Sequence, residues 1–272
     1  MSTSSARNPL IALRRRGAAG GVILPHRSIW SLNLPGRRLA IGLALTLLFT
    51  LLLSLAKPWI SLFWVEQMRE WMQALGLAQQ IGVDDAVPSS QGQYLLSLPV
   101  PMVHLQMPAP VRPLLMIHGG VAVLAWLAVG FLPDAGRPAT YLVRFAAMIH
   151  LCAVVFFAFW APVFPHDETG HIAWGLHRNW LFMLLTPWLH LFTYYMFPFP
   201  WWQRIALTGL TVGWLALLGP LQFALHAQAL AVFGIVVMPL LETLAGVMLP
   251  ILGMVALFGW AMSWNDPEDL QG

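Results

Sequence analysis

The chain has 272 residues, of which 58% are hydrophobic and 9% charged, with a mean hydropathy of +0.70. Soluble domains carry about 25% charged residues, so this composition excludes an ordinary soluble fold and points to a multi-span membrane protein. The formal charge of +3 is too small to mark a nucleic-acid binder, and a single cysteine, Cys152, excludes an internal disulfide and any cysteine-based zinc or iron–sulfur framework.

Residues 1–38 are rich in Ser, Arg and Gly and show no apolar periodicity, so they read as a flexible basic tail. The stretch "ALRRRGAAGG" suits either a topology signal or attraction to anionic lipid, the latter worth about 1 kcal/mol per basic residue. Residues 39–56 form the first span, 18 residues without a charge between Arg38 and Lys57. Ser54, Leu55 and Ala56 resemble a signal-peptide cleavage site, but the apolar run exceeds the usual signal core of about 7–15 residues. A retained anchor is therefore expected.

Residues 57–113 are expected to lie outside as one segment. Within it, 60–77 place Leu62, Phe63, Val65, Met68, Trp71, Met72 and Leu75 at helical spacing, opposite Glu66, Arg69 and Glu70. That pattern predicts an amphipathic helix along the membrane surface or packed on the bundle. "VDDAVPSSQGQ" reads as a loop, and Pro99, Pro101, Pro108 and Pro110 confine the rest to extended structure. Further spans are expected at 114–132, 141–163 and 180–197. Residues 203–264 are too many for one helix and divide into 205–222 and 236–263, with the break near Gly219, Pro220 and "LHAQAL". Residues 265–272 make a short cytoplasmic tail. The expected fold is an all-α polytopic membrane bundle of about six transmembrane helices.

Six spans put ten of the 14 basic residues on one side: Arg7, Arg14, Arg15, Arg16, Arg27, Arg37, Arg38, Arg137, Arg144 and Arg204. Lys57, Arg69, Arg112 and Arg178 fall on the other. The positive side is cytoplasmic, so both termini are expected inside, in the inner membrane of a bacterium. Trp201, Trp202, Trp260 and Trp264 fall at the expected interfaces, where amphipathic rings sit best.

Four groups of residues are candidate sites. "APVFPHDETGHIAWGLHRNW" supplies His166, Asp167, His171 and His177, imidazole and carboxylate donors that suit zinc or another first-row metal. The five-residue step from His166 to His171 departs from the HExxH metalloprotease spacing, and a solvated loop explains the same residues. His150 and His190 lie at matched depth in neighbouring spans, where they suit either haem b ligation or plain interhelical hydrogen bonds. His118, His226 and Glu242 fall toward the outer ends of their spans and form an expected polar pocket beneath the 166–177 loop. Glu242 is the one carboxylate inside an expected span, and an intramembrane carboxylate marks a proton carrier or a partner for histidine. "MVHLQM" offers Met102, His104 and Met107, donors that suit copper(I), although methionine is frequent here as plain packing.

No Walker loop, dinucleotide fingerprint, nucleophile elbow or repeated pair of broken helices is present. Three functions fit this sequence. The first is an accessory or scaffold subunit of a bacterial envelope system, with an outward polar pocket and membrane or envelope proteins as partners besides the bilayer. The second is a redox or metal-binding membrane protein, using haem b or a divalent metal. The third is an intramembrane enzyme with His171 or His177 as base and Glu242 as partner.

Overall fold

The computed structural model describes residues 36–77, 98–133, 136–196 and 199–264. The tail before residue 36, the whole loop expected at 83–93 with its flanks, and the tail at 265–272 lie outside the described residues. Of what is described, 86% is helical, and no strand occurs among the described residues. The helices are α1 (Gly36–Ala74), α2 (Arg112–Ala128), α3 (Arg137–Trp160), α4 (Glu168–Met196) and α5 (Trp201–Phe233). The one-turn helix α6 (Met238–Leu241), a π-helical segment (Glu242–Met248) and α7 (Leu249–Met262) follow as one continuous rod.

Five stretches are long and apolar enough to cross a membrane: Leu39–Ala74, Arg112–Phe131, Arg137–Val163, Trp201–Phe233 and Ile235–Met262. Their outward surfaces are apolar as well. Met116, Leu124 and Val121 on α2, and Phe159 and Val155 on α3, are exposed. Water would not tolerate so much continuous apolar surface, and lipid does. The chain has the architecture of a multi-pass membrane protein.

Three elements differ from the sequence expectation. First, α1 does not end at residue 56. It runs on through Lys57 and Pro58 as a single 39-residue helix, about 58 Å at 1.5 Å per residue. The expected separate helix at 60–77 is the second half of this rod. Its buried face is also rotated from the expected one: Ser61, Trp64, Met68 and Met72 are inside, whereas Leu62, Phe63 and Trp71 are exposed. The indole and thioether positions, not the leucines, fix the seam.

Second, α4 is not among the five apolar stretches. It covers the expected span 180–197 as far as Met196, but tryptophan, tyrosine, proline and histidine dilute its leucines. The expected 166–177 loop is also mostly helix, because α4 starts at Glu168. Third, α5 does not break at Gly219 and Pro220 but continues to Phe233. The break falls at Gly234, whose φ of 74° is open to glycine, and where a Cβ would meet the Pro108 carbonyl oxygen at 2.8 Å.

The core gathers on α4 and α5, which pack along their length. Trp64, Met68 and Met72 of α1 meet Ile172, Leu176, Trp180 and Met183 of α4, and Leu215, Phe223, Ala227 and Leu230 of α5. Within an apolar 18-residue window of each helix, 56% of residues are buried on α5, against 17% on α1 and on α2, so α5 is the central post. Glycine permits the close α4–α5 approach: a Cβ on Gly175 would collide with the Phe223 ring. Helices α2 and α3 pair with each other, α3 also packs on the 235–241 segment, and Leu115 of α2, Ala153 and Phe157 of α3 and Val236 form a small apolar cluster. Val103 and Leu105 of the proline-rich 98–111 strap join the main core, and Ser61 donates to the Pro99 carbonyl at 2.6 Å.

Candidate functional site

The N-terminus of α4 is built by Asp167, whose Oδ1 accepts the Gly170 N–H at 2.7 Å. A side-chain oxygen receiving the N–H three residues on is a helix N-cap, so this aspartate starts the helix. One residue into the first turn, the Thr169 hydroxyl donates to the Val103 carbonyl at 2.8 Å, and His104 Nδ1 stands 3.2 Å from the same oxygen. The hydroxyl has only one proton to give, so His104 Nδ1–H is the donor in the second bond. The strap is thereby tied across the start of α4.

Helical spacing then sets one face of α4. His171, Gly175 and Arg178 recur at i, i+4 and i+7 and point to the same side. Gly219, Gln222 and His226 line the facing side of α5 at the same kind of spacing. Between them, His171 Nε2 lies 3.2 Å from His226 Nδ1, the two rings stacked at 5.4 Å and 19°. Phe223 closes against both imidazoles, its ring 6.2 Å from His171 and 4.9 Å from His226.

Glu242 completes the group from the π-helical segment. The Arg178 guanidinium grips its carboxylate with both terminal nitrogens, one of them at 3.1 Å from Oε2. His171 Nδ1 stands 3.6 Å from the same Oε2, an ion-pair distance rather than a hydrogen bond. Gly246, one turn on, leaves the room: a Cβ there would meet Arg178 Nη2 at 2.8 Å and Glu242 Oε2 at 3.0 Å. Short π-helical segments are frequent at functional sites, and Glu242 is the first residue of this one.

The tautomers follow from the acceptors. A carboxylate only accepts, and with Glu242 Oε2 3.6 Å away its charge favours the His171 tautomer that carries the proton on Nδ1 and offers Nε2 as a lone pair. His226 must then donate from Nδ1, which leaves its Nε2 as a bare lone pair. That atom is buried and has no hydrogen-bond partner among the described residues. Both amide atoms of Gln222, one turn back, are likewise buried without a partner there. The order is therefore Arg178, Glu242, His171, His226. It runs from a carboxylate with 36% of its side chain exposed to an imidazole nitrogen that is fully enclosed.

Charges around His171 act on its titration. Burial lowers its pKa most, the Glu242 carboxylate opposes, and Arg178 and His166 add to the lowering. His177 is also lowered, by burial first and by Lys57 second.

The candidates from the sequence are thus redistributed. Of the expected metal set, Asp167 caps α4, the His166 ring lies edge-on to Phe164 at 5.4 Å, and the His177 ring lies edge-on to Trp174 at 5.9 Å. Only His171 faces the polar group. Among the described residues no three histidine, cysteine, aspartate or glutamate side chains come together as a metal cage. His150 and His190 have different partners. His150 pairs with His118 at 3.0 Å, while His190 Nδ1 lies 3.0 Å from Thr208 Oγ1 and 3.3 Å from the Tyr194 hydroxyl. Of the expected pocket, His226 and Glu242 meet at His171, and His118 stands apart with His150.

Arg178 is the residue that sequence reading passed over, because it served only as a topology charge. Its place seven residues after His171 was the available signal, once helix is taken to begin at Glu168. The chain matches no protein-family model, no curated protein and no solved structure.

Proposed function

We propose that the chain is an acid–base protein of a bacterial inner membrane, in which Glu242, His171 and His226 relay a proton between the carboxylate and a group held at His226 Nε2. The observation that carries this reading is the buried His226 Nε2, without a partner among the described residues, at the end of an ordered chain of acceptors. Perturbed, mutually contacting ionisable groups inside a membrane protein mark a functional site by default.

Proton bookkeeping supports the reading. A proton accepted at His226 Nε2 makes that ring a cation. Its Nδ1 proton passes to His171 Nε2, which leaves His226 neutral and His171 positive beside the Glu242 carboxylate. Arg178 holds that carboxylate in place. The relay thus moves positive charge from an enclosed atom toward the exposed end, and in reverse it delivers a proton to a buried group. A substrate hydroxyl or amine hydrogen-bonded to Gln222 and His226 would be the partner that the geometry accepts.

In this reading α4 crosses beside α5, which makes six spans, and the arginine-rich side faces the cytoplasm. The relay then lies toward the outer face, under the strap tied to Thr169. An accessory or scaffold role rests on the lack of an identifiable catalytic set, and the Glu242–His171–His226 chain supplies one. Enzyme function is therefore preferred over scaffold.

The test is proton uptake by the purified protein in lipid nanodiscs, read with an indicator dye as pH is lowered from 6 to 3. Wild-type protein should take up more protons than His226→Gln or Glu242→Gln, each checked for an unchanged helix content. Equal uptake by all three would overturn the relay. A Soret band or stoichiometric zinc or copper in the wild-type preparation would favour the redox or metal reading instead.

A further inference from the structure

Away from the relay, a second pair of histidines bridges α2, α3 and the end of α5. His118 Nδ1 lies 3.0 Å from His150 Nε2, with the rings edge-on at 65°. His118 Nε2 lies 3.1 Å from the Phe233 carbonyl oxygen. Both side chains are buried, at 7% exposure each, and His150 Nδ1 has no hydrogen-bond partner among the described residues.

The acceptors again decide the tautomers. A carbonyl oxygen only accepts, so His118 carries its proton on Nε2 and presents Nδ1 as a lone pair. His150 must donate from Nε2, which leaves Nδ1 bare. This is the opposite tautomer from that of His171 and His226, reached by the same logic from an oxygen at the other end.

We propose that His118 and His150 form a second buried proton-accepting site, separate from the relay, with His150 Nδ1 as the accepting atom and water or a ligand hydroxyl as the donor. A proton arriving at Nδ1 makes His150 a cation. Its Nε2 proton then passes to His118 Nδ1, so His150 returns to neutral and His118 becomes the imidazolium. No further bond is broken, and the His118 Nε2–H still points at the Phe233 oxygen.

Two features of the surroundings place the charge on His118. Phe233 is the last residue of α5, so its carbonyl is one of the four that a helix leaves unpaired. That end also carries the negative pole of the helix dipole, where a cation is favoured. The neighbours of His150 offer nothing comparable. His118 is the titratable group that acts on it, and the cluster one turn away is Leu115, Ala153, Phe157 and Val236. The site is thus a lone imidazole lone pair in apolar surroundings, backed by a second imidazole that holds the charge. This inference stands on its own residues and does not require the relay to be correct.

Protein labelled with 15N-histidine in nanodiscs tests the site, because nitrogen shifts distinguish protonated from bare ring positions. At pH 8, His118 and His150 should both be neutral with the proton on Nε2. On acidification the pair should take up one proton, with both His118 nitrogens becoming protonated while His150 keeps one bare nitrogen. His118→Asn and His150→Gln, each removing one set of signals, provide two independent assignments. His150→Gln should abolish the uptake at His118 in this pH range. A His150 protonated on Nδ1 at pH 8, or an uptake at His118 that persists in His150→Gln, would overturn the proposal.

Discussion

The indole N–H of Trp64 donates to the carbonyl oxygen of Ala216 at 2.9 Å. That carbonyl is the one Pro220 leaves without its helical donor, since proline has no N–H to return to the residue four before it. A side chain from α1 thus repairs the helix that α5 must keep intact to bring Gln222 and His226 to the relay. Trp64→Phe keeps the buried ring but removes the donor, and should cost about 1–3 kcal/mol through the unsatisfied carbonyl. In a Pro220→Ala background the backbone supplies the missing N–H. There the same Trp64→Phe change should cost clearly less. Thermal unfolding of the four proteins in one detergent measures the coupling, and an equal cost in both backgrounds would remove the argument.

Gly175 offers a second point of leverage, because the Phe223 ring occupies the place of its missing side chain. Gly175→Ala should push Phe223 off the His171 and His226 rings and separate α4 from α5, with a loss of about 1–3 kcal/mol. Replacing the ring as well, in Gly175→Ala with Phe223→Leu, should recover a good part of that loss. The check is the melting temperature of each protein. A tolerated Gly175→Ala alone would mean that the helices slide apart at little cost, against the close packing described above.

How much of this was legible in the sequence varies by element. Long apolar runs locate all five apolar stretches, since lipid demands length and apolarity and little else, but the ends of two of them were misplaced. The end of α5 was missed because Gly219 and Pro220 look like a break, and the donor that heals it sits 156 residues earlier, at Trp64. The end of α1 was missed for a related reason. Lys57 and Pro58 read as a boundary, yet a proline inside a helix can kink it without ending it. At the site, His226 and Glu242 were legible as rare polar residues in oily helices. His171 was assigned to a loop because it falls between the expected spans 141–163 and 180–197, whereas the helix already starts at Glu168. The pairing of His118 with His150 depends on how α2 and α3 pack, which no local pattern records.

The Arg178–Glu242 pair separates a structural role from a functional one. Both groups are partly exposed, so losing one partner should cost about 1–2 kcal/mol, below the figure for a fully buried pair. Arg178→Gln and Glu242→Gln should each lower stability by that amount. Combined, they replace a charge pair with two amides and should restore much of the loss. Proton uptake behaves differently: Glu242→Gln removes it with or without Arg178→Gln. If the double variant regained uptake together with stability, the pair would be a brace and the relay would end at His171.

Acid should weaken the fold through His171, and the sign follows from its environment. Burial lowers its pKa in the folded protein, with Arg178 and His166 adding and Glu242 opposing, while the unfolded chain titrates near 6.5. Above pH 6.5 both states are neutral and the stability is complete. As pH falls through 6.5 the unfolded chain binds a proton that the folded site resists, so stability declines by up to about 1.4 kcal/mol per pH unit for one such group. The decline stops once pH passes below the folded value. His177, also lowered by burial, adds a loss of the same sign. Melting temperatures from pH 8 to pH 5 should therefore fall in the wild type and fall less steeply in His171→Gln. Glu242→Gln should extend the loss to lower pH, because it removes the one neighbour that favours the His171 cation. An identical pH slope in wild type and His171→Gln would show that this imidazole is not held neutral, and the tautomer order drawn from Glu242 to His226 would go with it.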